Sequence, residues 1–326
     1  MFPTSSAEMI VNPRGLVPVA VATLHSQREI SFDLYLWPSK HKPARLYREK
    51  NVPLAPGDLQ RLLDERISTL YTPSCEAQQY CDYVRSHVLG DESIPAKDRY
   101  GVLKDATRTV LTAALERGDV DGVVKVAADL GQDMVGLICD RKHILDDLLP
   151  LMTHDYATFT HLTNVCTCGI VLAEACGIRD RGQLMEIAHG ALLHDVGKCY
   201  VPAGILNKAA PLNKAEQELV RRHPQRGFEE LCLRADLGWG QLMMVYQHHE
   251  RYDGRGYPVG LVGKEIHEWA RLCAVVDVYD ALTRDRSYRK GSDPKDVLLY
   301  MKRESGRRFD EEICQCWIAT LTQCQP

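Results

Sequence analysis

The sequence predicts a mainly α protein, a C-terminal helical bundle preceded by a small α+β domain. Three observations point there. Beyond residue 91 nearly every segment carries apolar residues at three- and four-residue steps, the spacing of an amphipathic helix. Before residue 90, short alternating runs are broken by Pro and Gly, as strands and turns are. The length of 326 residues suits two domains of ordinary size.

In the first region, residues 1–90, EISFDLYLW alternates Ile30, Phe32, Leu34 and Leu36 with Ser31, Asp33 and Tyr35, which predicts a half-buried strand. ARLYREKNVPL predicts a second strand running into a Pro/Gly break. Pro56, Gly57 and Asp58 start a short helix over PGDLQRLLDER. ISTLYTP predicts another strand, and SCEAQQYCDYVRSHVL begins a helix. Residues 91–140 form a helical connector containing TVLTAALERG and the start of VVKVAADLGQDMVGLICDRKHILDDLL, with Gly118 and Gly131 as breaks.

Residues 141–326 then predict antiparallel helices. LMEIAHGALLHDVGKC is a buried helix ending near Gly197. KAEQELVRRHP is amphipathic and stopped by Pro224. WGQLMMVYQHHE ends at a polar cluster, and WARLCAVVDVYDALTRD is an apolar helix carrying two aspartates. ERYDGRGYPVGLVG is too rich in glycine for regular structure.

The bulk properties narrow the function. With 45% hydrophobic and 26% charged residues the chain reads as globular, and with a formal net charge of -4 no global positive field points to a long nucleic-acid partner, so none is expected. Any anionic ligand must be held by a local site. MFPTSSAEMIVNPRG lacks the pattern of a secretory signal. No apolar run approaches the roughly 20 residues that span a bilayer. A cytoplasmic protein is expected, reaching a membrane only through partners. Of the twelve cysteines, Cys166 and Cys168, like Cys314 and Cys316, form C-x-C pairs, and no C-x-x-C occurs. Reduced, mostly buried thiols are expected rather than a zinc ribbon or a disulfide framework.

Five positions carry candidate chemistry: His161, the His194–Asp195 pair, His223, the His248–His249 pair, and Asp277. Successive groups lie 25 to 33 residues apart, each on a different predicted helix or helix end. Helices of a bundle project side chains into a shared interior, so such a set can converge on one point. Imidazole and carboxylate together suit Fe, Mn, Zn or Ni. A metal held by such donors could activate a bound water at neutral pH.

The segment ALLHDVGK resembles the metal-binding signature of the HD hydrolase superfamily, and HHERYDGRGYPVGL is similar to that of its HD-GYP branch, with Gly256, Tyr257 and Pro258 as the name-giving triplet. VVDVYDALTRDRSYRKG and GRRFD resemble the motifs that follow in that family. The resemblance covers about residues 141–320, in the family's order and spacing. The first 90 residues resemble, more weakly, a small accessory domain found before some HD-GYP domains.

The resemblance implies an HD-type helical catalytic domain that cleaves cyclic di-GMP to pGpG or GMP, with iron or manganese. It assigns His161, His194, Asp195, His223, His248, His249 and Asp277 as metal ligands. Lys198, just after the HD pair, is assigned to the reaction together with Asp195. Arg286 and Arg289 are assigned to the ligand's phosphate. The loop of Gly254, Gly256 and Pro258 would come close to the ligand, and Tyr257 would offer a face to a guanine. Some members hold a third metal through a glutamate one turn before the first histidine. Ala157 stands there, so two divalent ions are expected.

Other polar residues have plainer readings. His154 and Asp155 form a second HD pair without the G-K sequel and read as surface or capping residues. His189 points to a different helix face from His194. His267 reads as a loop residue. Asp280 shares the face of Asp277 and would orient a ligand or cap a turn. Glu250 and Asp253 would orient imidazoles. Arg284, Arg286, Arg289 and Lys290 could be a solvated charged run, and Arg307 and Arg308 read as surface. The alternatives to an active phosphodiesterase are a sensor that binds cyclic di-GMP or a protein partner without turnover, and another HD-type nucleotide phosphohydrolase. The N-terminal domain would serve protein contact or self-association.

Overall fold

The alternating run near residue 30 ends in a strand, though a shorter one than its pattern predicts. In the computed structural model, which describes residues 15–26, 28–37, 43–117, 119–139, 158–206, 208, 210–284 and 290–323, four antiparallel strands form one sheet. They are β1 (Leu16–Ala20), β2 (Leu34–Leu36), β3 (Arg45–Arg48) and β4 (Thr69–Pro73), in the order β1-β4-β2-β3. Ile30, Phe32 and Leu34 are buried as the alternation predicts. Tyr35, expected on the solvent face, is also buried, because it pairs with Tyr71 of β4 in the middle of the sheet. Strand β1 escapes the sequence pattern because Pro18 interrupts it. Proline is tolerated there because β1 is an edge strand.

Helix α1 (Asp58–Asp64) and helix α2 (Ala77–His87) pack on this sheet. Leu62, Tyr80, Tyr83 and Val84 join Val17, Val19, Phe32 and Leu70 in one core. Phe32 meets Tyr80 and Tyr83 edge-on. Helix α3 (Ala96–Arg117) follows, and its Ala106 belongs to the same core. The chain divides into two compact units, residues 1–113 and 114–326.

Among the described residues, the second unit has helices, loops and isolated bridges but no strands. Its helices are α4 (Val120–Cys139), α5 (Thr158–Ala175), α6 (Arg181–Leu193), the one-turn α7 (Ala203–Leu206), α8 (Lys214–Arg221), α9 (His223–Leu231), α10 (Trp239–Gln247), α11 (Glu268–Thr283), α12 (Pro294–Glu304) and α13 (Glu311–Gln323). Helix α6 is central, packed on α4, α5 and α10, and α11 packs on α5 and α10. Burial of α6 from Ile187 to Leu193 explains its unbroken apolar text.

Two breaks predicted from sequence are not breaks. Gly131 lies inside α4, where a side chain would crowd the backbone of His189 and the methyl of Ala188. It is a close crossing of α4 over α6. Pro224 does not end a helix. Arg222 ends α8, and Pro224 sits in the first turn of α9, where its missing N–H costs nothing. The start of α8 is a capping box between Asn213 and Glu216.

None of the described cysteines is in a disulfide. Cys81, Cys166, Cys168, Cys273 and Cys314 are buried, whereas Cys75, Cys176 and Cys199 are exposed. Among the described residues no helix is long and apolar enough to cross a membrane. Gly118, His154, Asp155, Ala157, Arg286 and Arg289 lie outside the described residues.

Candidate metal centre

The bundle brings all seven predicted ligand positions to one place. His161 projects from the first turn of α5, and Asp277 from the middle of α11. His194 caps the C-terminus of α6, and Asp195 starts the tight turn after it. His223 opens α9, His248 caps α10, and His249 follows it. Helix ends free neighbouring residues from the divergence of about 100° per residue that a continuous helix imposes. The adjacent pairs can therefore face one point.

Backbone contacts fix the ring tautomers. Nδ1 of His194 donates to the carbonyl of Ala191 (2.7 Å), and Nδ1 of His223 to that of Val220 (2.7 Å). Nδ1 of His248 is shared between the carbonyls of Met244 and Val245. Nδ1 of His161 donates to Asp280 Oδ2 at 2.6 Å, and Asp280 Oδ1 accepts from Asn164 at 2.7 Å. With Nδ1 donating to a backbone carbonyl, Nε2 of His194, His223 and His248 is left to present its lone pair inward.

The inner nitrogens face carboxylate oxygens and one another. His161 Nε2 lies 3.5 Å from Asp195 Oδ2 and 3.2 Å from Asp277 Oδ1. His194 Nε2 lies 3.5 Å from Asp195 Oδ2. On the other side, His223 Nε2 is 3.1 Å from Asp195 Oδ1 and 3.2 Å from His248 Nε2, itself 3.8 Å from Asp195 Oδ1. Ligand atoms of His161, His194 and Asp195 gather within 4.8 Å of one another, and those of His223, His248 and His249 do likewise. Asp195 therefore belongs to the first trio through Oδ2, and turns Oδ1 toward His223 and His248 of the second. His194 Nε2 and Asp195 Oδ1 are buried with no hydrogen-bond partner. The facing lone pairs of His194, His223, His248 and Asp195 Oδ1, with orphaned atoms among them, fit metal cations.

The electrostatics agree. Burial lowers the pKa of His194 and of His248, and holds His249 at about 3. These rings are therefore neutral donors at pH 7. Burial also works against charge on His161, but hydrogen bonds to Asp195, Asp277 and Asp280 raise it to about 10. Its inner nitrogen attracts positive charge. Burial alone would raise Asp195 and Asp277, yet both are held well below the usual carboxylate range, Asp195 by Lys198 and the surrounding imidazoles and Asp277 by His161, His249 and His194. The Lys198 ammonium pairs with Asp195 Oδ2 and stays 31% exposed, whereas Asp195 is buried. His249, 22% exposed, marks the open side together with Lys198.

The glycine-rich loop closes over that side. The Tyr257 ring lies 4.8 Å from the His249 ring and has the Arg221 guanidinium 4.4 Å from its centre. Glu250, expected beside an imidazole, instead accepts from the backbone N–H groups of Val259, Gly260 and Leu261 and so organises the loop. Asp253 likewise pairs with Arg251 and the N–H of Arg255. Arg307 and Arg308 accept backbone hydrogen bonds from Asp253 and Tyr252, so their segment anchors the loop. Gly256 has no room for a side chain, since a Cβ would lie 2.3 Å from the nitrogen of Arg251.

The remaining polar residues separate clearly. His189 is a satisfied core histidine, its Nε2 donating to the Val124 carbonyl and its Nδ1 accepting from Gln241. His267 caps α11 by accepting from the N–H of Trp269. Arg284, read as part of a solvated run, is buried and lies 3.6 Å from Asp280.

The sequence profile of the HD domain family matches residues 142–313, more than half of the chain. The chain belongs to the HD domain family. This HD domain holds every ligand candidate described above. Over 195 residues it is 37% identical to "Cyclic di-GMP phosphodiesterase PA4108" of Pseudomonas aeruginosa, covering 60% of this chain and 47% of that protein. Over 158 residues it is 37% identical to "Cyclic di-GMP phosphodiesterase response regulator RpfG" of Xanthomonas campestris pv. campestris, covering 48% and 41%. The chain thus spans less than half the length of these two relatives. Among solved structures, "Bd1817, a HDG"Y"P protein from Bdellovibrio bacteriovorus" shares the fold, with TM-score 0.67 and 20% identity over 94% of this chain and 99% of that one.

Proposed function

We propose that this chain is a metal-dependent phosphodiesterase that hydrolyses cyclic di-GMP to pGpG or onward to GMP. The observation that carries the reading is Asp195, whose two oxygens each face a separate group of imidazoles. Such donors would suit two ions, with Asp195 offering an oxygen to each; imidazole with carboxylate suits iron, manganese, zinc or nickel, and the resemblance to the HD-GYP branch implies iron or manganese. When bound, the two ions supply Lewis acidity, activating water at neutral pH and offsetting charge on the phosphoryl oxygens.

The chain's own residues do the rest. His161, His194 and Asp277 hold one half of the centre, and His223, His248 and His249 hold the other. Asp280 and the backbone carbonyls aim the rings. Lys198 stands beside the Asp195 carboxylate on the open side, placed to hold a non-bridging phosphate oxygen or to give a proton to the leaving 3′ oxygen. Gly256, Tyr257 and Pro258 form the wall against which the dinucleotide lies. The Tyr257 ring already carries Arg221, so a guanine stacking there shares the ring with that guanidinium or displaces it. Arg286 and Arg289 are proposed as further phosphate contacts. The names of the relatives support the substrate. We assign the protein to the cytoplasm and assign protein contact or self-association to the N-terminal unit.

The test is direct. Purified protein is assayed for metal content and for release of pGpG and GMP from cyclic di-GMP. 3′,3′-cyclic GMP-AMP serves as comparator, because a Vibrio cholerae relative 34% identical over 160 residues is named "3'3'-cGAMP-specific phosphodiesterase 1", a match covering 48% of this chain and 36% of that protein. Two ions per chain and preferential turnover of cyclic di-GMP are expected. Metal-loaded protein that leaves both dinucleotides intact overturns the proposal.

A further inference from the structure

Beside the metal centre lies a cavity that none of the ligand residues lines. It measures about 520 Å³ and is bounded by Glu218, Arg221, Arg222, Gln225, Arg226, Glu229, Tyr257 and Pro258. That is ample for part of a nucleotide, since small-molecule sites commonly run from about 300 to 1,000 Å³. Three arginines occur within six residues, where the end of α8 meets the start of α9. Planar guanidinium forks suit phosphate oxygens. Two of the eight lining residues are acidic, so cationic groups are in excess. The one ion pair between lining side chains, Arg226 to Glu229 at 3.2 Å, is solvent-exposed on both sides. Such pairs are weak and readily exchanged for a better anion.

The position matters as much as the charge. Tyr257 belongs to the cavity wall and also touches the ring of His249, a metal-ligand candidate. One aromatic ring therefore separates the cavity from the metal centre. The Arg221 guanidinium rests over that ring and is held in place before any ligand arrives. A cyclic dinucleotide carries two phosphodiesters on opposite sides of its macrocycle. Only one can sit at the metals during a given cleavage, and the other must project beyond them.

We propose that this cavity binds the non-reacting phosphodiester of the cyclic dinucleotide through Arg221, Arg222 and Arg226, and so selects dinucleotides over small diesters. The assignment rests on the phosphodiesterase reading and deepens it. The contact is made equally before and during the chemistry, so it acts on KM rather than kcat. Arg221, Arg222 and Arg226 carry none of the sequence marks of the metal site. Arg221 and Arg222 fall in the amphipathic KAEQELVRRHP segment, and only the fold sets them and Arg226 beside Tyr257.

The experiment compares full-length wild type with Arg222→Ala/Arg226→Ala on two substrates, cyclic di-GMP and bis(p-nitrophenyl) phosphate, which has a single phosphate. Metal content and helical signal are measured on the same samples. Losing two charge-assisted contacts should raise KM for cyclic di-GMP by about tenfold to a hundredfold, and the penalty should be at least about tenfold smaller on the small diester. Added salt should weaken dinucleotide binding less in the variant than in wild type. Arg222→Lys/Arg226→Lys should recover part of the affinity. An unchanged KM for the dinucleotide, or equal losses on both substrates, overturns the proposal. Wild type that does not cleave cyclic di-GMP defeats the phosphodiesterase reading separately. Equilibrium binding of the dinucleotide then decides the cavity: it stands if the variant binds at least about tenfold more weakly, and falls if the affinities match or neither protein binds.

Discussion

Replacing Asp195 by asparagine keeps the side-chain shape while removing the charge both imidazole groups face. One oxygen becomes an amide nitrogen that cannot ligate, so one half of the centre loses its ligand and the other loses its anion. Asp195→Asn should lower metal affinity by more than about a hundredfold, beyond the 10- to 100-fold typical of an outer-shell change, and remove turnover. Elemental analysis and a product assay check this, with the helical signal expected to persist. Asp280 tests a finer point. It touches no other ligand candidate but holds the His161 ring through Nδ1. Asp280→Ala should weaken metal binding about tenfold to a hundredfold, and excess metal should restore most of the activity. Failure of metal to rescue would show that Asp280 does more than aim His161. At this scale the sequence is readable where chemistry forces rare residue types together. The seven clustered ligand positions and the face shared by Asp277 and Asp280 stand out in it. Asn164 does not, because an uncharged residue one turn beyond His161 carries no signal until Asp280 is seen to need a second donor. The role of Glu250 was equally hidden. A carboxylate next to two histidines reads as their partner, and only the loop's path reveals the three N–H groups it satisfies.

At the scale of elements, the helices of the second unit follow from apolar periodicity, and their ends follow from caps such as Asn213 with Glu216. What periodicity cannot show is which residue bears a close approach. Gly131 reads as a break because glycine is a poor helix former, yet it permits α4 to cross α6. Pro224 reads as a stop although it opens α9, since proline suits a first turn as well as a terminus. Strand β1 was lost to Pro18, whose edge position is a property of the sheet and not of the segment. The glycine-rich loop is the element on which a prediction turns. A methyl group at Gly256 would lie 2.3 Å from Arg251 N and 2.4 Å from the Cα of Glu250, so the loop must shift and carry Tyr257 away from His249. Gly256→Ala should retain metal, because no ligand candidate is touched. It should lose at least about tenfold in kcat/KM, as a misplacement near 1 Å can cost a hundredfold. Metal content, near-ultraviolet circular dichroism and steady-state kinetics on one preparation separate loop displacement from loss of the centre.

For the whole molecule, the sequence pattern reads as an α+β region over residues 1–90, a helical connector over 91–140 and a helical domain over 141–326, and the fold divides into two units, each with its own core: one built on Val17, Phe32, Leu70 and Tyr80, the other around α6. The ligand candidates belong wholly to the second. They come from α5, α6, α9, α10 and α11, so a bound metal ties together helices that are distant in sequence. It favours the folded state by mass action, about 4 kcal/mol when free metal stands at a thousand times its dissociation constant. In a unit of this size each kcal/mol moves the melting temperature by roughly 2–4 °C. Chelation should therefore lower the melting transition of residues 114–326 by about 8–16 °C. The transition of residues 1–113, which contribute no ligand candidate, should stay where it was. Calorimetry on the full chain with and without a chelator reads both transitions, and restoring iron or manganese should return the first to its starting point. A chelator that moves neither transition, or moves the two equally, would mean that metal is not what holds these helices to a common centre. The acceptor-against-acceptor contacts around Asp195 would then need another source of positive charge, with the proton on His161 the first to be sought.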